Sequence, residues 1–212
     1  MSHTAAHDTQ GVLIHGSRAY DILFSRFIRR TDTPILDLAE VSPGDSVLDV
    51  GTGPGYLARA AAERVGPAGR AVGLDASPEM VSRATELAAR ESSTATFVKA
   101  GAQHMQFDDS TFDVVVSRLA MHHLPGDIKD LSLAEMARVL KPGGRLVLAD
   151  VAAHSLAGML HGFVRRVHGA PREESNPLAE LVRRAGFEGV TTGPVGMLMY
   201  VSGRATRSES TS

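Results

Sequence analysis

Ser46-Val-Leu-Asp-Val50, followed by Gly51-Thr-Gly-Pro-Gly55 and an alanine-rich run from Tyr56 to Val65, constrains the fold more than any other stretch of this chain. A short apolar run bounded by turn residues has the length and character of a buried strand. The glycines that follow allow a tight turn, because glycine enters positive φ at no steric cost and lets the backbone approach a ligand closely. Tyr56 to Val65 then repeats apolar residues at helical spacing. A buried strand that turns directly into a helix is half of a crossover unit, and crossover units join parallel strands.

The same rhythm recurs downstream. Gly66-Pro-Ala-Gly69 is a turn and Arg70 to Asp75 a second strand. Ser77-Pro78-Glu79 starts a helix, with serine as N-cap, proline in the first turn and an acid beside the positive helix end; it runs to about Arg90. Thr94 to Lys99 and Phe112 to Ser117 are strands; Ile128 to Leu140 is a helix, ended by Lys141-Pro-Gly-Gly144, and Arg145 to Val151 is a strand. Asn176-Pro177 opens another helix ending near Gly186. Glu188 to Thr192 and Met197 to Ser202, separated by Gly193-Pro194, form a hairpin, so the last strand enters antiparallel. The expected fold class is therefore α/β, a doubly wound and mostly parallel seven-stranded sheet with an antiparallel last strand. Ahead of it, Arg18 to Arg30 and Thr33 to Glu40 read as helices. The expectation is one domain over 1–212: a helical cap (1–41), a core (42–151), a substrate-side insertion (152–175) and a disordered polar tail (204–212).

Composition narrows the partners. Lys plus Arg number 22 against 24 Asp plus Glu, a net charge of -2, so nucleic acid is not an expected partner. No cysteine is present, which removes disulfides, thiolate zinc sites and cysteine nucleophiles. Met1 to Gln10 carries no apolar signal-peptide core, and runs such as Val114-Val-Val116 are too short to span a bilayer. The expected setting is cytoplasmic, without stable membrane insertion, as a monomer or homodimer with a small-molecule partner.

A glycine turn at a helix start also aims free amides at a ligand's polar atoms. A dinucleotide fingerprint needs G-x-G-x-x-G. Here the spacing is G-x-G-x-G, Tyr56 stands where the third glycine belongs, and Asp49 precedes the first glycine by two positions. Asp75, at the end of the second strand, suits both hydroxyls of a ribose.

VLDVGTGPGYLA (47–58), VGLDASPEMV (72–81), FDVVVSRLAMHHL (112–124) and EMARVLKPGGRLVLADV (135–151) together resemble class I S-adenosylmethionine (SAM)-dependent methyltransferases of the ubiquinone/menaquinone-biosynthesis type, over about half of the 212 residues. The resemblance implies a Rossmann-like methyltransferase fold, SAM as cofactor, and methyl transfer to O, N or C of a small molecule, aromatic or otherwise apolar. It implies that Asp49 and the loop of Gly51, Thr52, Gly53 and Gly55 hold the methionine end. Asp75, Ala76 and Met80 would take the adenosine, Ser117 would lie near the methyl, and Tyr20 would cover the sulfonium. Where the family places Gly-Asp-Ala-Glu, this chain has Ala100-Gly101-Ala102-Gln103. Adenine then falls to the Ala102 backbone and the Gln103 amide, which both donates and accepts.

Arg118 has two readings, pocket lining or ion pairing. His122 is the candidate general base, since an imidazole is a side chain suited to proton removal near neutral pH. His122 and His123 are not read as a metal site, since adjacent histidines make poor joint ligands and no carboxylate–histidine spacing accompanies them. His161 and Arg165, with Arg118 and His122, are the candidate substrate residues. Two other functions compete: a SAM-binding homologue that does not methylate, and an NAD-dependent oxidoreductase, which Tyr56 disfavours.

Overall fold

The computed structural model describes residues 29–151 and 176–206. In chain order the elements are α1 (Asp32–Leu38), β1 (Ser46–Val50), α2 (Tyr56–Val65), β2 (Arg70–Asp75), α3 (Pro78–Arg90), β3 (Thr96–Lys99), β4 (Phe112–Arg118), α4 (Gly126–Val139), β5 (Leu140–Asp150), α5 (Pro177–Arg184), β6 (Phe187–Val195) and β7 (Leu198–Ala205). Short 3-10 turns cover Arg29–Thr31 and Met121–His123.

The seven strands form one sheet in the order β3-β2-β1-β4-β5-β7-β6. All pairings from β3 to β5 are parallel, and β7 runs antiparallel to both β5 and β6. This is the expected doubly wound sheet with an antiparallel last strand. The chain steps outward from β1 to β3 and then returns to β4, so the strand order reverses between β1 and β4. A crevice opens at such a reversal, beyond the carboxyl ends of the strands.

Alternation along the strands builds two cores. Leu48, Val50, Val115, Leu146 and Leu148 pack with Leu133, Met136 and Val139 of α4 and Val182 of α5. Val47, Val114, Val116 and Val147 face the other way, onto Ile35 and Leu36 of α1 and Leu57 and Ala61 of α2. Burying each of these Val and Leu side chains contributes about 1.5–3 kcal/mol. The sheet is thus covered on both faces, as a parallel sheet requires.

Four expectations are corrected. Lys141-Pro-Gly-Gly144 is not a free helix-to-strand turn. It bulges within β5, between the pairs Phe112↔Leu140 and Val114↔Arg145, and the Lys141 ammonium reaches Asp113 (2.8 Å). Gly193-Pro194 does not separate the last strands. Both lie in β6, an edge strand that tolerates a residue without an N–H, and the hairpin turns at Gly196-Met197. Arg204 and Ala205 are not tail: they pair with Glu188 and Phe187 in the sheet, and Arg204 bridges to Glu40 (2.7 Å). β3 begins at Thr96, two residues later than expected. The helix expected from Arg18 lies outside the described residues up to position 28, as do 152–175 and 207–212. Among the described residues, no helix is long and apolar enough to cross a membrane.

Candidate cofactor and acceptor site

The loop after β1 has its three glycines at positive φ: Gly51 at 72°, Gly53 at 52° and Gly55 at 76°. They serve different ends. A Cβ on Gly51 would stand 2.3 Å from the Ala120 Cβ, and one on Gly55 would stand 2.5 Å from the Phe97 ring. A Cβ on Gly53 would meet nothing within 4 Å. Gly51 and Gly55 let protein pack against the loop, whereas Gly53 leaves bare backbone facing open space.

The loop is anchored to β2. The amides of Gly51 and Thr52 donate to the Leu74 carbonyl (2.8 and 2.9 Å), and the Gly53 amide donates to Asp75 Oδ2 (2.8 Å). The second oxygen of Asp75 accepts the Ser77 amide (2.9 Å). Asp75 therefore ties the glycine loop to the start of α3, where the Ser77 hydroxyl caps the Met80 amide (3.2 Å). Each carboxylate oxygen keeps acceptor capacity. Ala76 is exposed and Met80 half-buried beside it.

Asp49 lies beneath the loop, 2% exposed, accepting the Thr52 hydroxyl at 2.6 Å. Burial pushes its pKa up to about 6, against the opposing pull of that hydroxyl and of Arg118. Arg118, at the end of β4, pairs with Asp32 of α1 and with the Thr31 hydroxyl (3.2 Å). Burial also raises the Asp32 carboxyl, with the Arg118 guanidinium opposing. Two carboxylates and one guanidinium thus form a buried cluster joining α1, the end of β4 and the glycine loop. Of the two readings of Arg118, ion pairing is the one its geometry meets. Ser117 is buried, and its hydroxyl donates to the Val50 carbonyl (2.7 Å), stitching β4 to β1 across the reversal. Its side chain is committed to that bond.

Beyond Arg118 the chain turns sharply. Leu119 takes φ 56°, a costly value for a side-chain-bearing residue, and its amide donates to the Ala149 carbonyl (2.9 Å). The turn buries Met121, sets Ala120 against Gly51 and leaves His122 at the surface of the crevice. Asp150, at the end of β5 and 5% exposed, holds His122 twice. Its Oδ2 accepts the His122 amide (3.0 Å) and its Oδ1 lies 2.5 Å from the ring Nδ1. The Val151 amide also donates to Oδ1 (2.7 Å). A carboxylate acceptor at Nδ1 calls for the proton there, which leaves the Nε2 lone pair free as a base. His123 packs its ring 3.8 Å from that of His122; burial lowers its pKa, with His122 acting in the same direction and Asp150 opposing.

Asp49, Gly51, Thr52, Gly53, Gly55, Asp75, Ala76, Met80, Ser117, Arg118 and His122 are therefore carried at the carboxyl edge of β1, β2 and β4. Ala102 and Gln103 stand on the turn after β3, which the Ala100 amide ties to the Asp75 carbonyl (3.1 Å). Tyr20, His161 and Arg165 lie outside the described residues. Sequence reasoning missed Asp150 and Asp32. An available signal for Asp150 was its place in Leu146-Val-Leu-Ala-Asp150, an acid ending an apolar strand just as Asp75 does.

Residues 47–144 match a family described as a methyltransferase domain. The chain is 31% identical over 169 residues to an arsenite methyltransferase of Halobacterium salinarum, covering 74% of this chain and 40% of that protein. It is 38% identical over 117 residues to a ubiquinone/menaquinone biosynthesis C-methyltransferase of Ectopseudomonas mendocina, covering 54% of this chain and 45% of that one. This chain spans less than half the length of either relative. Among solved structures, a SAM-dependent methyltransferase from Aquifex aeolicus superposes with a TM-score of 0.65 at 24% identity, over 82% of this chain and 89% of the other; that likeness concerns the fold. The matched domain, the relatives, the sheet order and the glycine loop agree: residues 47–144 form a methyltransferase domain on the sheet of the class I SAM-dependent methyltransferases.

Proposed function

We propose that this protein transfers a methyl group from SAM to a small molecule bearing an ionisable hydroxyl, at that oxygen or at a carbon conjugated to it, with His122 as the general base. The observation that carries this reading is the Asp150–His122 pair at the crevice. A base is needed only where the acceptor must lose a proton, and a buried carboxylate fixing both the backbone and the ring of one histidine is an arrangement for removing one.

The residues suit the cofactor. Bare backbone at Gly53 allows close approach, the buried Asp49 carboxylate suits an ammonium group, and Asp75 offers acceptor capacity for ribose hydroxyls beside the loop. When bound, SAM supplies a methyl group carried on a sulfonium sulfur. The chain's tasks are alignment and proton removal. The Nε2 of His122 takes the acceptor's hydroxyl proton, and Asp150 stabilises the imidazolium that results. Holding the reactants in line accounts for about 7–11 kcal/mol of such a barrier.

The cap over 1–41 and the insertion over 152–175 are the segments we assign to enclosing the acceptor, with Tyr20, His161 and Arg165 as their candidate contacts. Arsenic(III) is a soft centre that favours thiolates, and this chain has no cysteine, so the substrate named for the Halobacterium relative is not carried over. The balanced charge supports a small-molecule acceptor over a nucleic acid; a cytoplasmic monomer or homodimer is the setting we propose with it.

Isotopic methyl transfer from SAM to a panel of phenols, hydroquinones and amines tests the reading. Labelled product is expected from the hydroxyl-bearing members, with His122→Ala lowering kcat about 10²–10⁴-fold while SAM affinity stays within about twofold. Full turnover by His122→Ala across the pH range would remove the histidine from the mechanism.

A further inference from the structure

Tyr56, which stands where a dinucleotide fingerprint would place its third glycine, has no role in the site above. Two guanidiniums lie over its ring, that of Arg59 at 4.9 Å from the centroid and that of Arg29 at 5.3 Å. These three side chains line a cleft of about 510 Å³ between α2 and the turn that joins α3 to β3, where Ser92, Ser93 and Thr94 contribute to the wall. Arg59 is 5% exposed, and its guanidinium is only partly engaged. Nη1 donates to the Pro54 carbonyl (2.7 Å) and Nε to Glu91 Oε2 (2.9 Å). Among the described residues, Nη2 is buried without a hydrogen-bond partner. In a guanidinium, Nε–H and one N–H of Nη2 point the same way, forming an edge that fits two oxygens of one oxyanion. Glu91 fills half of that edge with a single oxygen, and its side chain is 44% exposed. A buried charged donor left without an acceptor is costly, so the edge favours an oxyanion that fills both places.

We propose that this cleft binds the phosphate group of a small phosphate monoester, which displaces the Glu91 carboxylate and takes the Nε–H and Nη2–H of Arg59 together, with Arg29 as the second cation. The exchange replaces a one-oxygen contact by a two-oxygen one and fills the empty donor, while Nη1 keeps the Pro54 carbonyl. A tetrahedral dianion fits better than a carboxylate. Two of its oxygens meet Arg59, and the others remain for Arg29 and the serine hydroxyls. Ser93 Oγ accepts the Ala95 amide (3.3 Å), which leaves its own hydrogen to donate. Glu63 also lines the cleft, one turn farther along α2 than Arg59. Its carboxylate repels a second anionic group, so a monophosphate with an uncharged or basic remainder is the class expected, not a polyphosphate. The cleft continues to Gly66 and Pro67, past the end of α2. It therefore follows the helix toward the amino edge of the sheet, away from the crevice at the carboxyl edge, and this site goes beyond the cofactor and acceptor reading.

Titration of the full chain with inorganic phosphate at constant ionic strength, followed by phosphorus NMR line width, tests this. The wild type is expected to half-saturate near about 1 mM, the range of a few charge-assisted hydrogen bonds. Acetate should displace the phosphate only at roughly tenfold higher concentration or more, and S-adenosylhomocysteine should not displace it. Glu91→Gln, which removes the competing charge, should tighten phosphate roughly tenfold. Arg29→Ala should weaken it roughly tenfold, and so should Arg59→Lys, which keeps a cation but presents no edge. Arg59 is buried and its variant is judged beside matched melting curves; Arg29 and Glu91 are exposed, so their variants carry the test if that one unfolds. Absence of saturable phosphate binding overturns the proposal. So does displacement by S-adenosylhomocysteine, which assigns the ion to the cofactor crevice. Acetate that competes as well as phosphate overturns the choice of a tetrahedral dianion. An affinity unmoved by both Arg29→Ala and Glu91→Gln means an adventitious ion only, and overturns the site.

Discussion

Asp49 is the residue at which stability and the proposed cofactor binding would be coupled. Its carboxyl titrates near 6 in the fold against an ordinary 3.8, because burial disfavours the charged form. An acid whose folded pKa is raised costs nothing below its unfolded pKa. The cost grows as pH rises through the interval between the two values and is complete above the folded one. For Asp49 that interval runs from about 4 to about 6, and the full cost is about 3 kcal/mol. Asp49→Asn is therefore expected to stabilise the unliganded protein at pH 7.5 by about 1–3 kcal/mol, a gain that disappears near pH 4. The amide gives up part of the charge-assisted bond from Thr52, so the gain stays below the whole cost. The same substitution should weaken SAM, because the carboxylate is lost beside the loop. Denaturant melts at the two pH values and a SAM titration check both halves. A substitution that destabilises equally at both pH values would show that hydrogen bonding, not charge burial, governs this position.

At the scale of elements, the unit β1–glycine loop–α2 divides its work among residues that look alike in sequence. Gly55 admits Phe97 of β3 and Ala84 of α3, Gly51 admits Ala120, and Gly53 admits nothing from the protein. Gly51→Ala is expected to lose about 1–3 kcal/mol by overpacking and to displace the turn that carries His122, lowering kcat as well. Gly53→Ala bears only the strain of positive φ, about 1–2 kcal/mol, yet should lose cofactor affinity more than tenfold. Thermal unfolding alongside SAM titration separates the two; equal affinity losses would mean that Gly53 does not face the ligand. The 3-10 turn Met121–His123 shows the same division, with Met121 locked into the core and His122 turned out to Asp150.

Across the whole molecule, the N-terminal elements are tied to the sheet by charge as well as by apolar packing. Asp32 and Arg118, each with a side chain under one-tenth exposed, link α1 to the strand end that borders the crevice. Breaking such a buried pair from one side strands the other charge. Arg118→Met is expected to cost about 3–5 kcal/mol alone and less beside Asp32→Leu, where the Asp32 charge is no longer stranded and only Asp49 loses the guanidinium. A double-mutant cycle with purely additive losses would show that the pair does not hold α1 in place. The opposite flank is held differently, by β7 threading antiparallel between β5 and β6.

The sequence by itself determined the parts that local rules govern. Apolar runs, glycine turns and caps placed β1, α2, β2 and α3 at Ser46–Val50, Tyr56–Val65, Arg70–Asp75 and Pro78–Arg90, because periodicity and capping act within one turn or one strand. Asp49, the three glycines and Asp75 were legible for the same reason: each holds a fixed offset from a strand end. The partners were not legible, because strand order sets them. His122 and Asp150 are 28 positions apart, and Arg118 and Asp32 are 86 apart; they meet because β4 lies beside β5 and α1 packs under the strand ends. Register likewise decided which turn bulges: Lys141-Pro-Gly-Gly144 has turn chemistry, but the pairing of Leu140 with Phe112 draws it into the sheet. Local chemistry specified the elements and the glycine loop, while tertiary contact supplied the acid behind the histidine.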